Sequence, residues 1–262
     1  MECRCLIKLF PLVFLKSKQE VILKKSSFVM NKRILLKLSG ESLGGSESNQ
    51  YDKKALSAII QSITSLRDSS YQLGVVVGAG NLFRGREAQS IGLPPIKADH
   101  LGMIATLMNG IMLKELLIQQ GIQAEVLSSF SCSSFVQKYS VDLAQKLFSQ
   151  GYILIFAGGT GHPFFTTDTA ASLKACEMQA DILLKATNVE GLFDKDPKQY
   201  QNAKHISFIT YDEVLLQKLA VMDATAISIC RDNHIPIRVF DYKQHSLKQI
   251  IDNPNIGTSI SI

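Results

Sequence analysis

The chain has 262 residues, enough for one large domain or two small ones, and it can bury a substantial core. Apolar residues make up 46% of it and charged residues 19%, a balance that excludes an intrinsically disordered protein. The formal net charge is +5, but residues 1–29 carry +4 of it and the rest of the chain only +1. This distribution argues against binding of nucleic acid by the folded part.

The five cysteines are dispersed along the chain without a CxxC spacing, at Cys3, Cys5, Cys132, Cys176 and Cys230. An odd number of scattered thiols predicts a cytoplasmic protein with reduced cysteines, and neither a disulfide framework nor a zinc site.

The first 29 residues do not share the pattern of the rest. Residues 5–15 are apolar, but they are too few to span a bilayer as a helix, and no small-residue cleavage site follows them. We therefore interpret residues 1–29 as a non-native or disordered extension and expect a single domain over residues 30–262. A membrane-tethered variant is the less supported alternative.

From Met30 onwards, predicted strands alternate with predicted helices. The strands are expected at 34–38, 75–77, 124–127, 153–157, 181–187 and 235–240. The helices are expected at 52–70, 99–121, 140–150, 168–179 and 211–230, the last in two pieces broken around 221–223. Continuously apolar strands that alternate with helices predict an α/β fold, a three-layer αβα sandwich with a mostly parallel central sheet.

Ligands of such sheets bind beyond the carboxyl ends of the strands, and four predicted strand ends carry glycines, hydroxyls or cations. They are Lys37 with Ser39-Gly40, residues 78–84, residues 158–168 and residues 185–187. Together they predict a site for a phosphate-bearing anion.

The third strand end, GGTGHPFFTTD at 158–168, is the most informative of the four. Its three glycines permit a close backbone approach to a ligand, and the threonines and the following helix offer hydroxyl and N–H donors. An ordinary strand-to-helix loop with a Thr or Asp cap remains the alternative for this stretch alone. Neither a Walker A loop nor the Rossmann glycine fingerprint is present in the sequence, which speaks against a dehydrogenase.

Six separated segments carry a specific resemblance. They are KRILLKLSGE (32–41), GNLFRG (80–85), DHLGMIATLMNG (99–110), AGGTGHPFFTTDTAA (157–171), LLKATNVEGLFDKDP (183–197) and PIRVFD (236–241). In this order and at this spacing, the sequence resembles the bacterial UMP kinases (uridylate kinases) of the amino acid kinase superfamily.

The resemblance implies direct in-line transfer of the γ-phosphoryl group of ATP to UMP, giving UDP and ADP in pyrimidine nucleotide biosynthesis. Magnesium would enter with ATP, and no protein residue is directly assigned as a metal ligand. The implied catalytic residues are Lys37, Arg84 and Asp168. The implied ATP contacts are Lys37, Leu38, Ser39, Gly40, Gly80, Arg84, Thr187, Phe193 and Asp196. The implied UMP contacts are Ala79, Asp99, Thr160, Gly161, His162, Pro163, Phe164, Phe165, Thr166 and Thr167.

The resemblance also implies a cytoplasmic homohexamer that is inhibited by UTP and binds neither nucleic acid nor a membrane. Activation by GTP is not implied, because only the first of the aligned effector positions Lys114, Ile118 and Glu125 is basic. Ala79 and His162 depart from the glycine and asparagine common in the family.

Two other classes remain open at this point. A carboxylate kinase of the same superfamily would share the sheet and the ATP side, although GNLFRG and HPFFTTD fit a nucleotide acceptor better. A non-catalytic nucleotide-binding protein would be favoured by loss of Lys37, Arg84 or Asp168, and all three are present.

Overall fold

The structure is a computed structural model in which residues 32–44, 50–66, 71–85, 90–195, 199–200 and 202–262 are described. The expected extension at 1–29 and the expected ATP contact Asp196 lie outside the described residues, and both stay predictions.

The strands are β1 (Arg33–Leu38), β2 (Gln72–Val77), β3 (Ala124–Ser128), β4 (Gln137–Lys138), β5 (Ile153–Ala157), β6 (Ile182–Thr187), β7 (Leu192–Phe193), β8 (His205–Ile206), β9 (Phe208–Thr210), β10 (Ile237–Asp241) and β11 (Thr258–Ser261). Nine of them form the sheet of the middle layer, in the order β4-β3-β5-β2-β1-β6-β10-β11-β9. Its described neighbours are all parallel except β10 and β11. A separate antiparallel pair joins β7 to β8.

Helices connect most of these strands. Several begin where a Ser, Thr or Asp side chain accepts a hydrogen bond from a backbone N–H of the first turn, as Asp52, Ser140 and Thr166 do. The helices are α1 (Lys53–Thr64), α2 (Pro95–Gln119), α3 (Val141–Ser149), α4 (Thr167–Glu177), α5 (Tyr211–Leu216), α6 (Ala224–Asp232) and α7 (Leu247–Asp252), with a short 3-10 helix at Gly40–Ser42.

Two hydrophobic clusters lie on opposite faces of the sheet, because side chains alternate along each strand. On β1, Leu35 packs into one cluster with α3, α4, α5 and α6, whereas Ile34 and Leu36 pack into the other with α1, α2 and α7. The predicted three-layer αβα sandwich is therefore confirmed.

The observed elements differ from the predictions mainly at their ends. Helix α2 begins at Pro95, where the missing N–H of proline costs no hydrogen bond, and Asp99 lies inside the helix rather than capping it. The break predicted around residues 221–223 separates α5 from α6. The strands missed from the sequence are short, and β11 adds an antiparallel neighbour after what was expected to be the last strand.

By length and composition, α2 is the one helix among the described residues that could cross a membrane. In the fold, its Leu107, Leu113 and Leu117 are buried in the core beside β3 and β5.

Candidate active site

Three charged side chains meet at the carboxyl ends of β1 and β6. The Asp168 carboxylate lies 2.9 Å from Lys37 Nζ through Oδ1 and 2.7 Å from Lys185 Nζ through Oδ2. All three side chains are largely buried. Two cations and one anion leave this cluster with an excess positive charge, which suits a polyanionic ligand.

The local fold explains why these residues meet. Strands β1 and β6 are parallel neighbours, and Lys37 pairs with Lys185 in their register, so the two side chains stand next to each other. Asp168 is the second residue of α4, where the helix dipole favours a negative charge. Lys185 Nζ also donates to the backbone carbonyl of Val221, which fixes its direction.

Burial and charge act against each other within the cluster. Burial acts to raise the pKa of the Asp168 carboxyl, but Lys37 and Lys185 outweigh it and hold that pKa below its usual range. Burial lowers the pKa of Lys185, and the charge of Asp168 offsets part of that effect. Asp168 therefore stays ionised at neutral pH and neutralises one of its two lysines.

The ends of β1 and β2 come into direct backbone contact beside this cluster. A Cβ atom on Gly40 would lie 2.7 Å from Ala79 C and 2.8 Å from Ala79 N, and still closer to Gly80 N. Only glycine fits Gly40 in this arrangement. The turn after Lys37 is thus held against the 78–80 loop, which brings two of the four predicted strand ends together.

Arg84 lies on the exposed side of the same loops. Its Nε donates to the carbonyl of Gly80 at 3.1 Å, and its guanidinium pairs with Glu41 Oε1 at 3.1 Å. Arg84 and Glu41 are both more than half exposed, so this ion pair contributes little stability and can exchange for a ligand phosphate.

The segment at 158–167 has the backbone shape that its glycines suggested. Gly158, Gly159 and Gly161 have positive φ angles of 84°, 59° and 81°, and Phe164 adopts φ 71°, a rare value for a non-glycine residue. Asp99 Oδ2 accepts a hydrogen bond from Phe164 N at 2.8 Å across from α2. This contact joins Asp99 to the other predicted UMP contacts.

The following helix start is held from a third element. Thr166 caps α4 by accepting from the backbone N–H groups of Asp168 and Thr169. Asp223, the cap of α6, in turn accepts from the hydroxyls of Thr166 and Thr169. Asp168 thereby follows directly on the predicted UMP segment while its carboxylate contacts both lysines.

A cavity of about 440 Å³ includes Lys185 in its lining. The predicted ATP contacts Thr187 and Phe193 line it, together with the apolar side chains of Leu219, Val221 and Val239. Such a cavity suits a planar base with a polar tail directed at the lysines.

The cluster can accept a metal ion that arrives with phosphates but does not form a cage for one. Among the described residues, no three His, Cys, Asp or Glu side chains are grouped so that they could hold a cation. Asp168 Oδ1 is buried and pairs with the Lys37 ammonium at 2.9 Å. One such carboxylate oxygen fits magnesium that is bound chiefly by phosphates and water.

The structure brings several predicted site residues into contact with one another: Lys37 with Asp168, Gly40 with Ala79 and Gly80, Arg84 with Gly80, and Asp99 with Phe164. The sequence placed Lys185 at one of the four strand ends of the predicted anion site, but Lys185 was not among the predicted catalytic residues or ATP contacts. Asp223 was not among the predicted site residues either. The structure shows a cap that also holds two threonine hydroxyls.

Comparison with known proteins decides the family. The model of the amino acid kinase family matches residues 32–241, which is most of the chain. The chain belongs to the amino acid kinase family.

Its curated relatives include the uridylate kinase of Protochlamydia amoebophila, 44% identical over 232 residues that cover 87% of this chain and 92% of that protein. The uridylate kinase of Alcanivorax borkumensis is 46% identical over 229 residues, covering 87% and 91%. Among solved structures, the UMP kinase of Bacillus anthracis superposes with a TM-score of 0.85 at 34% identity, covering 88% of this chain and 96% of that one. The resemblance found in the sequence is thereby confirmed.

Proposed function

We propose that this chain is a UMP kinase, which transfers the γ-phosphoryl group of ATP to UMP and releases UDP and ADP. The observation that carries the proposal is the cluster of Lys37, Asp168 and Lys185. Asp168 directly follows the 158–167 segment and Lys185 lines the 440 Å³ cavity, in a chain more than 40% identical to uridylate kinases. Its product feeds pyrimidine nucleotide synthesis.

The donor nucleotide, on this proposal, occupies the cavity with its phosphates directed at the lysines. Thr187 and Phe193 contact the nucleoside, and Lys37 binds the phosphates beside the Ser39-Gly40 turn. The full set of proposed ATP contacts is Lys37, Leu38, Ser39, Gly40, Gly80, Arg84, Thr187, Phe193 and Asp196.

The acceptor occupies the opposite side, against the 158–167 segment. Asp99 is joined to this segment through the N–H of Phe164, so the two form one wall. Phe164 and Phe165 are exposed and can cover a bound nucleotide. The full set of proposed UMP contacts is Ala79, Asp99, Thr160, Gly161, His162, Pro163, Phe164, Phe165, Thr166 and Thr167.

The mechanism needs positioning and charge neutralisation more than covalent help. A phosphate oxygen of UMP is already a nucleophile, so no protein base is required. Lys37 and Lys185 offset the charge that develops on the transferred group, and Arg84 leaves Glu41 for the phosphates of the two substrates. Asp168 holds the two ammonium groups in place. Magnesium, when bound with ATP, supplies further charge neutralisation.

The test is the identity of the product. We expect chromatography of an incubation with ATP, magnesium and UMP to show UDP and ADP in equal amounts, and Lys37→Met to abolish both. Hydrolysis of ATP without UDP formation would contradict the proposal.

We further propose that the protein is a cytoplasmic homohexamer, as the resemblance implies. The outward face of α2 supports self-association, because Leu101, Ile104, Met108 and Ile118 are all exposed along it. A monomeric protein rarely exposes such a stripe. Its free cysteines in the described part, Cys132, Cys176 and Cys230, suit a reducing compartment.

Regulation follows from the same resemblance. We expect UTP to inhibit by competing for the site. We expect no activation by GTP at the positions around Lys114, because its ammonium group pairs with Glu125 at 2.8 Å and Ile118 carries no charge. A triphosphate effector would find little excess positive charge there.

A further inference from the structure

One contact between a histidine and a glutamate, next to residues of the donor cavity, has no part in the mechanism described so far. His245 Nε2 lies 2.9 Å from Glu190 Oε1, and both side chains are about three-quarters buried. An ionised carboxylate can only accept, so Nε2 carries the hydrogen and donates. Neither residue is among those that line the cavity.

The neighbours of Glu190, however, do line it. Val189 and Gly191 flank Glu190 in the loop between β6 and β7, and both face the cavity together with Phe193. Glu190 is therefore not part of the wall itself, but it links two residues that are. A change in the position of Glu190 would move that wall.

His245, the partner of Glu190, lies in a turn between a strand of the sheet and the next helix. Strands β6 and β10 are parallel neighbours that end side by side at Thr187 and Asp241. His245 follows β10 in a turn closed by its own N–H to the carbonyl of Asp241 at 3.1 Å. The next helix, α7, begins immediately after it, and its Leu247 is buried.

Further contacts hold the backbone of the loop around Glu190, and these contacts do not involve the Glu190 carboxylate. His205 Nε2 lies 3.2 Å from the carbonyl of Glu190, and Thr258 Oγ1 accepts from Leu192 N at 2.8 Å. Gly191 has φ 136°, and a Cβ there would lie 2.9 Å from His205 Nε2. Glu190 Oε2 is buried without a hydrogen-bond partner among the described residues. His245 is thus the one side chain seen to pair with this carboxylate in the part of the chain that the structure describes.

We infer that Glu190 and His245 are positioning residues for the donor nucleotide: their contact anchors the 188–191 loop to the β10–α7 turn and so preforms the cavity wall. This inference rests on the proposed function for the identity of the nucleotide. A preformed wall lowers the ordering cost of binding, so the pair acts on donor affinity and not on transfer.

The test measures binding of a non-hydrolysable ATP analogue by calorimetry, and steady-state kinetics alongside. We expect Glu190→Ala and His245→Ala each to weaken analogue binding by about three- to tenfold, the range for loss of one charge-assisted contact. The KM for ATP should rise equally, while kcat and the KM for UMP stay within about twofold. The double variant should match the single ones, because one contact is lost in each case.

Two further variants distinguish a positioning role of the Glu190–His245 contact from a general loss of structure. Glu190→Gln keeps an acceptor oxygen for His245 and should restore most of the analogue affinity. Lys248→Ala removes an exposed ion pair with Asp252 on the adjacent α7 and should leave affinity unchanged. Unchanged analogue affinity in Glu190→Ala, an equal fall in kcat, or additive effects in the double variant would each overturn the inference.

Failure of the proposed function gives a different result. If the parent chain binds the analogue and Glu190→Ala weakens it, but UMP is not phosphorylated, the positioning role stands and the acceptor assignment falls.

Discussion

Asp168 connects the acceptor and donor sides of the candidate site because its carboxylate pairs with both Lys37 and Lys185. Its carboxylate accounts for the burial of Lys37 and Lys185, which would otherwise stand side by side as uncompensated like charges. The same side chain follows directly on the predicted acceptor segment. A single residue is therefore expected to affect both the stability of the fold and the transfer reaction.

The stability effect of Asp168 should depend on pH. Its folded-state pKa lies below the unfolded value of about 3.9, so its contribution is present above that pH and is lost as the pH falls through the lower folded-state pKa. We expect Asp168→Asn to lower the free energy of unfolding by about 3 to 5 kcal/mol at pH 7. Urea unfolding of parent and variant should show this difference shrinking below about pH 4. A difference that is independent of pH would contradict the assignment.

Removal of a phosphate-directed cation should affect turnover far more than stability. We expect Arg84→Ala and Lys37→Met each to lower kcat by about 100-fold or more. Arg84 is exposed, so the melting temperature of its variant should stay close to that of the parent. Lys53→Met, an exposed lysine at the start of α1, is the matched control and should retain full turnover. A near-parental kcat in either site variant would remove that residue from the mechanism.

At the scale of elements, the site depends on how closely two strand ends approach. The Ser39-Gly40 turn and the 78–80 loop touch through their backbones, with no space for a side chain at Gly40. Asp223 holds the start of α4 in a comparable way from α6. Loops of this kind place ligand-binding groups accurately because rigid elements hold both of their ends.

The close approach predicts opposite results for two glycine substitutions. Gly40→Ala should force the two loops apart, lowering kcat/KM for ATP by about tenfold or more and the melting temperature with it. Gly102→Ala lies inside α2, where the nearest other atom to a new Cβ is Phe83 Cδ1 at 3.8 Å. It should stabilise the helix by up to about 1 kcal/mol. Melting temperatures and kcat/KM for ATP should be measured for both variants. Equal changes in these quantities for Gly40→Ala and Gly102→Ala would contradict the prediction.

How far the sequence predicts this site also depends on the elements. The strands β1, β2, β5 and β6 are continuously apolar and end in distinctive residues, so their parallel arrangement and their shared edge follow from local patterns. The contact of Asp99 with Phe164, the shared role of Asp223 and the pairing of Glu190 with His245 join residues 54 to 65 positions apart. Such contacts are set by packing, and no local periodicity encodes them. The strands β4, β7, β8 and β9 escaped prediction because two or three residues are too few to show an alternating hydrophobic pattern.

For the whole molecule, the exposed face of α2 is the feature that a single chain leaves unexplained. Ile104 and Met108 are half exposed on a helix whose other side is fully buried in the core. Burial of this stripe against a second copy would remove a large apolar area from water.

A charge placed on the stripe should break the assembly. We expect sedimentation velocity to show that the parent is a homohexamer and that Ile104→Lys shifts it to smaller species. Leu216→Lys, an equally drastic change at an exposed leucine of α5, should leave the assembly intact. A parent that sediments as a monomer would contradict the role of α2.

The most direct test of the account is the choice of acceptor. ADP release from ATP and magnesium should be measured with UMP, CMP, AMP, glutamate and acetylglutamate offered separately, with the full chain and with a chain that starts at Met30. We expect both chains to turn over with UMP and to show at least about 100-fold lower kcat/KM with each other acceptor. Turnover with an amino acid in place of UMP would keep the fold and the donor side but contradict the acceptor assignment. Binding of nucleotide without turnover of any acceptor would contradict catalysis itself.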